Sequence, residues 1–151
     1  MSKLHFGYQV SAYAATVSAH SDSLLLAARL FLGAVYLYSG AVKLVGWQAA
    51  ISEFALLGLP VPAVAVAATV AVQLLGGLAI AVGWQFRAAA AALAVFTVVA
   101  TLIGHPFWAF AGVEFQRQLT TALEHLAIVG GFLLLTIIGP GRLSLQAKSR
   151  A

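Results

Sequence analysis

The chain contains no cysteine. That absence removes disulfides, thiolate catalysis, Cys-ligated iron–sulfur clusters and c-type haem attachment from the chemistry it can perform by itself. Charge is almost as scarce. Only 8% of the 151 residues are charged, with four acids against eight Lys and Arg, where a soluble domain carries about 25%. No basic run with interleaved aromatics occurs, which argues against nucleic-acid binding. Phosphate-binding loops, Ser–His–Asp sets and dinucleotide fingerprints are missing too. What fills the chain instead is apolar: 62% of residues. A soluble core of this size cannot hide so much greasy surface, whereas lipid can. The composition predicts an all-α polytopic membrane protein.

The clearest span is Val61 to Gly83, apolar except for Thr69 and Gln73. As a helix it reaches roughly 35 Å, enough for a hydrocarbon core of about 30 Å. Leu59-Pro60-Val61-Pro62 sets its entry, and Ala63, Ala67 and Ala71 form a small-residue stripe suited to helix contact. Gln73 shares a side with Thr69, Gly76, Gly77 and Ile80, and its amide must find protein rather than lipid. An earlier span runs from about Ser23 to Gly46, capped by Ser21 or Asp22, with Arg29, Gly33, Tyr36, Gly40 and Lys43 on one side. Trp47 to Leu59 reads as a short helix or re-entrant piece with Trp47 as interface anchor. Two more spans follow, about Arg87 to Ile103 and Leu119 to Ile138. The expected organisation is residues 1–22 as an uncleaved tail or interfacial segment, 23–139 as a four-transmembrane-helix bundle, and 140–151 as a polar tail.

Four spans place both termini on one side. That side then holds Lys3, Arg29, Arg87, Arg142, Lys148 and Arg150, so the positive-inside tendency puts both termini in the cytoplasm. His105, Glu53, Glu114 and Glu124 fall toward the outer side.

The polar residues near that outer side are the candidates for chemistry. Lys43, His105, Glu124 and His125 sit at comparable depth, with Tyr36 close by. Lys43 and Glu124 form the natural ion pair, locking the first span to the fourth. A His beside a Glu supplies both a hydrogen-bond donor and a titrating group, which a quinone headgroup or similar small molecule would use. Arg29 and Gln73 read as structural polar residues, Arg29 meeting Gln73 or lipid headgroups. The spacing of His105 and His125 with Glu114 or Glu124 matches no recognised ligand motif, so no metal site is expected.

In order along the chain stand Arg29 with Tyr38-Ser39-Gly40-Ala41-Val42-Lys43-Leu44, Leu59-Pro60-Val61-Pro62, Gln73-Leu74-Leu75-Gly76-Gly77-Leu78, and Gly83 with Arg87. His105-Pro106-Phe107-Trp108, Leu126-Ala127-Ile128-Val129-Gly130-Gly131 and Gly139-Pro140-Gly141-Arg142-Leu143-Ser144-Leu145 complete the series. This ordered set resembles the DoxX family of small bacterial membrane proteins over roughly residues 24–146. The resemblance implies a four-helix transmembrane bundle of the bacterial inner membrane, with relatives that serve as membrane parts of quinone-linked redox complexes. Two positions depart from the family pattern: Gln73 stands where Glu is usual, and Glu124-His125 where many members have Lys-Asn.

The reading that follows is an integral membrane subunit of a redox or respiratory-type assembly. It would anchor a partner subunit, contact membrane lipids and form a quinone-headgroup pocket from Tyr36, Lys43, His105, Glu124 and His125, with no covalently bound cofactor and no catalysis on its own. The alternative is a purely structural subunit or assembly factor with no small-molecule site. A transporter or channel would need an oligomer of these four short spans.

Overall fold

The structure is a computed structural model that describes the backbone of residues 2–149 and the side chains of residues 21–149. Six helices appear: α1 (Ser2–Val45), α2 (Trp47–Leu56), α3 (Pro62–Val82), α4 (Phe86–Gly104), α5 (Gly112–Ile138) and α6 (Leu145–Lys148), with a single 3-10 turn at Phe107–Ala109. Four stretches are long and apolar enough to cross a membrane: Ser21–Val45, Pro62–Val82, Phe86–Ala109 and Gly112–Ile138. The all-α, four-span architecture is the one expected.

Where the helices begin differs from expectation in two places. The cap expected at Ser21 or Asp22 does not form, because α1 runs unbroken from Ser2. No Gly or Pro occurs between Tyr8 and Leu32, so nothing in that stretch interrupts the helix. The side chains of residues 1–20 lie outside the described ones. Helix α5 begins at Gly112 rather than near Leu119, since Glu114, Arg117 and Gln118 bond one another along its first turns.

Helix α1 packs on α3, α3 on α4, and α4 on α5, while the short α2 covers the start of α3. The expected side of α1 is the one used: Arg29, Gly33, Tyr36 and Gly40 are buried. A β-carbon at Gly33 would lie 2.9 Å from Gly77 O, and one at Gly77 would lie 3.0 Å from Gly33 O. The two backbones therefore touch where neither residue has a side chain, the close approach that lipid-embedded helices use in place of a hydrophobic drive. On α3 the contact side is Val66, Val70, Gln73, Gly77 and Ile80. The stripe Ala63, Ala67 and Ala71, expected at a helix contact, faces outward instead. The glycine and the amide decide the choice, since the amide cannot face lipid. Tyr36, Ile80, Phe86, Ala90, Leu93, Ala94, Phe132 and Leu135 make the main core, and Ala50, Val66 and Val70 a second one under α2.

At the end of the bundle that carries α6, the chain returns to clamp itself. Arg29 is 1% exposed, and it donates to Ala81 O at 3.0 Å, to Leu143 O at 2.8 Å and to Pro140 O. It does not meet Gln73 or a lipid headgroup as the sequence suggested. The reason is depth: Arg29 lies level with the last turn of α3, where a helix leaves carbonyls unpaired and carries partial negative charge. The expected polar tail is a folded segment. Gln146 N donates to Gly83 O at 3.0 Å, Gln146 Oε1 accepts from Phe86 N at 3.2 Å, and Asp22 Oδ1 accepts from Arg142 N at 2.8 Å. Gly83 makes this possible with φ of 70°, and a β-carbon there would strike Ser144 Cβ at 2.5 Å.

Two outcomes follow. Arg29→Gln strands buried carbonyls of α3 and of the C-terminal segment and should cost on the order of 3 kcal/mol, read as a lowered melting temperature in detergent. Gly77→Ala presses on the α1 backbone and should cost about 1–3 kcal/mol, whereas Gly130→Ala, whose β-carbon would meet nothing within 4 Å, should change stability by less than about 0.5 kcal/mol.

Candidate functional site

Nearer the end that carries α2, the bundle does not close. A cavity of about 360 Å³ lies there, with walls from α1, α2, α3, α4 and α5. Its apolar lining includes Val35, Phe54, Leu59, Phe96, Ile103 and Ile128. Set into that lining are Tyr36, Ser39 and Lys43 from α1, Glu53 from α2, Thr69 and Gln73 from α3, Thr97 from α4, His105 just beyond α4, and His125 from α5. Small residues create the space: Ala65 and Ala100 line it where larger side chains would fill it. An apolar pocket with a few convergent polar groups is the usual form of a small-molecule site.

A chain of polar contacts runs along the α4–α5 wall of this cavity. Thr97 Oγ1 donates to Leu93 O at 2.7 Å, and the Tyr36 hydroxyl therefore donates to Thr97 Oγ1. One turn on, Thr101 Oγ1 donates to Thr97 O at 2.6 Å. Its single proton is thereby used, so His125 Nδ1, 2.7 Å away, donates to Thr101 Oγ1. The rings of His125 and His105 lie 5.2 Å apart at 73°. His105 Nδ1 is 2.8 Å from Gln118 Oε1, and Gln118 Nε2 donates to Glu114 Oε1 at 2.7 Å. Glu114 is held in turn by both nitrogen contacts of Arg117, at 2.7 and 2.9 Å. The carboxylate fixes which way the Gln118 amide points, and the amide fixes His105 as the donor at Nδ1.

Of the residues the sequence singled out, Tyr36, Lys43, His105 and His125 converge on this one cavity, and Gln73 joins them. Gln73 is 7% exposed, and its Oε1 is buried without a partner among the described residues. Glu124 does not join them. It lies on the exposed side of α5, one residue from the inward-facing His125. The expected Lys43–Glu124 ion pair is accordingly not formed; among the described residues the sole ion pair is Glu114–Arg117. Adjacent helical residues point about 100° apart, so only one of Glu124 and His125 can face the cavity. The hydroxyl that fixes His125, on Thr101, decides which. Arg29 is remote from the cavity, in the clamp already described.

Sequence reasoning missed Thr97, Thr101 and Gln118 altogether. A signal existed for the threonines: positions 97, 101 and 105 recur at steps of four and lie on one helix side. Glu53 was assigned to this end of the bundle but not to the site. Among the described residues no three His, Asp or Glu side chains gather as a metal site.

Comparison with known proteins agrees with this architecture. The family model described as DoxX matches residues 24–106. The chain is 30% identical over 125 residues to the inner membrane protein YphA of Escherichia coli strain K12, covering 83% of this chain and 89% of that protein. It is 31% identical over 125 residues to the inner membrane protein YqjF of the same strain, covering 83% of this chain and 91% of that one. No solved structure matches. With the family model spanning more than half of its length and both relatives covered almost end to end, this chain belongs to the DoxX family of membrane proteins.

Proposed function

We propose that this protein is a membrane subunit of a redox assembly and that its cavity takes the headgroup of a quinone. The observation that carries the reading is the cavity itself. It combines apolar walls with hydrogen-bonding groups from five elements, Tyr36, Lys43, Gln73, His105 and His125 among them. A headgroup of planar ring and opposed oxygens, arriving from the bilayer on an apolar tail, is matched by such a lining. The chain binds and orients; a partner subunit exchanges electrons with the bound headgroup. Its relatives are inner membrane proteins, and the same location is proposed here, with the α6 end and its arginines toward the cytoplasm.

Glu124 supports the partner. His125 is level with Thr101, three residues short of the end of α4 at Gly104. Glu124 therefore sits roughly 5 Å inside the end of that helix, on an exposed face beside Leu123, Leu126 and Ala127. A carboxylate facing acyl chains costs several kcal/mol. A transmembrane helix carrying a basic side chain against this face would remove that cost.

The test is a titration of the purified protein in lipid nanodiscs with a short-tailed quinone such as decylubiquinone, followed by quenching of the three tryptophans. Saturable quenching is expected for the native chain. Ala100→Phe fills the cavity and leaves its polar groups in place, and it should weaken binding at least about tenfold, the loss of one or two good contacts. Linear, unsaturating quenching that is the same in both proteins would end the quinone reading.

A further inference from the structure

Resting on that reading, we infer that the cavity selects the reduced, hydroxyl-bearing form of the headgroup over the oxidised dicarbonyl form. The inference comes from counting where the protons are. His105 Nδ1 spends its proton on Gln118 Oε1, and His125 Nδ1 spends its proton on Thr101 Oγ1. A neutral imidazole has one N–H, so each ring is left with a bare Nε2. Neither Nε2 has a partner among the described residues, and both rings line the same cavity 5.2 Å apart. Tyr36 has committed its proton to Thr97 and keeps only lone pairs for a ligand.

The α4–α5 wall therefore offers acceptors. An oxidised quinone carries two carbonyl oxygens and no donor, so it leaves both imidazoles unmet and sets lone pair against lone pair. The reduced form carries two O–H groups, each able to donate to an imidazole Nε2. Leaving a buried polar group without its partner is the costly outcome, so discrimination of this kind is strong relative to the single bond involved.

The preference depends on both rings being neutral. Once an imidazole is protonated its Nε2 becomes a donor, and the site then suits the carbonyl form. The charged groups nearest the pair are Lys43 from α1 and Glu53 from α2, which line the same cavity, the Glu114–Arg117 pair behind Gln118, and Glu124, next to His125 in sequence but on the exposed side of α5.

The experiment measures, in nanodiscs and without oxygen, the affinity of decylubiquinol and decylubiquinone at pH 8. The quinol should bind about tenfold more tightly, the equivalent of one hydrogen bond. The double variant His105→Phe, His125→Phe should lose the ratio, whatever it does to the affinity for either form. Equal affinities at pH 8, or a ratio that survives the double variant, would overturn the inference and leave the quinone reading standing. If neither form saturates, the quinone reading itself falls and the inference with it. Nitrogen-15 spectra of the histidine-labelled chain provide a readout that needs no variant of the cavity. With His5 and His20 replaced by Asn so that only His105 and His125 of the four histidines report, both rings should be protonated at Nδ1 and bare at Nε2 at pH 8, and Nε2–H on either would overturn the assignment.

Discussion

Arg29 brings a full positive charge into the packed end of the bundle, and among the described residues no carboxylate pairs with it. Three backbone carbonyls hold it instead, from Ala81, Pro140 and Leu143. This is an economical solution to the constraint that governs every part of the molecule: inside a membrane, polar groups must be satisfied by the protein. The last turn of α3 has carbonyls without partners, and a guanidinium has N–H groups to spare. Bringing the two together meets most of both deficits, Arg29 Nε alone of the guanidinium nitrogens being left buried without a partner among the described residues. It also explains why the C-terminal segment folds back, since Pro140 and Leu143 supply two of the three oxygens. The start of α4 has the opposite deficit, an N–H without a partner at Phe86, and Gln146 of the same segment supplies an acceptor.

With one end tied off in this way, the rest of the bundle is free to be open. Helices α1 and α3 touch backbone to backbone at Gly33 and Gly77, roughly level with the core built on Tyr36, Ile80 and Phe132. Gly40, on the same side of α1, makes another close approach to α3, since a β-carbon there would meet Leu74 at 2.8 Å. The cavity lies alongside this contact, walled by α4, α5 and α2 as well. Its polar residues are those that sit beyond the tight layer on the four spans and on α2, so the same packing that closes the α6 end determines which side chains surround the opening.

Much of this was legible in the chain. Step-of-three-and-four spacing on the first span named the buried side of α1 residue by residue, because glycine and charge both disfavour lipid. Gln73 was legible for the same reason. What could not be read was direction at single-residue precision. Glu124 and His125 are neighbours of similar polarity, and composition alone does not say which turns inward; Thr101, on another helix, does. The stripe of Ala63, Ala67 and Ala71 misled because alanine tolerates lipid as well as it tolerates contact, so its periodicity carries no preference of its own. The C-terminal fold-back was invisible because its bonds run mostly to backbone oxygens, which every sequence has.

Gln73 meets the cavity it shares with Lys43 as an uncharged amide, its Oε1 without a partner among the described residues. His105 and His125 bring two imidazoles to the same cavity. There the surrounding bonds are ordered from outside inward: Arg117 orients Glu114, Glu114 orients Gln118, and Gln118 orients His105. An exposed ion pair of this kind contributes little to stability. Its value here is geometric, because it sets which nitrogen of a ring several ångströms deeper carries a proton, and so whether the cavity meets its ligand with a donor or with a lone pair.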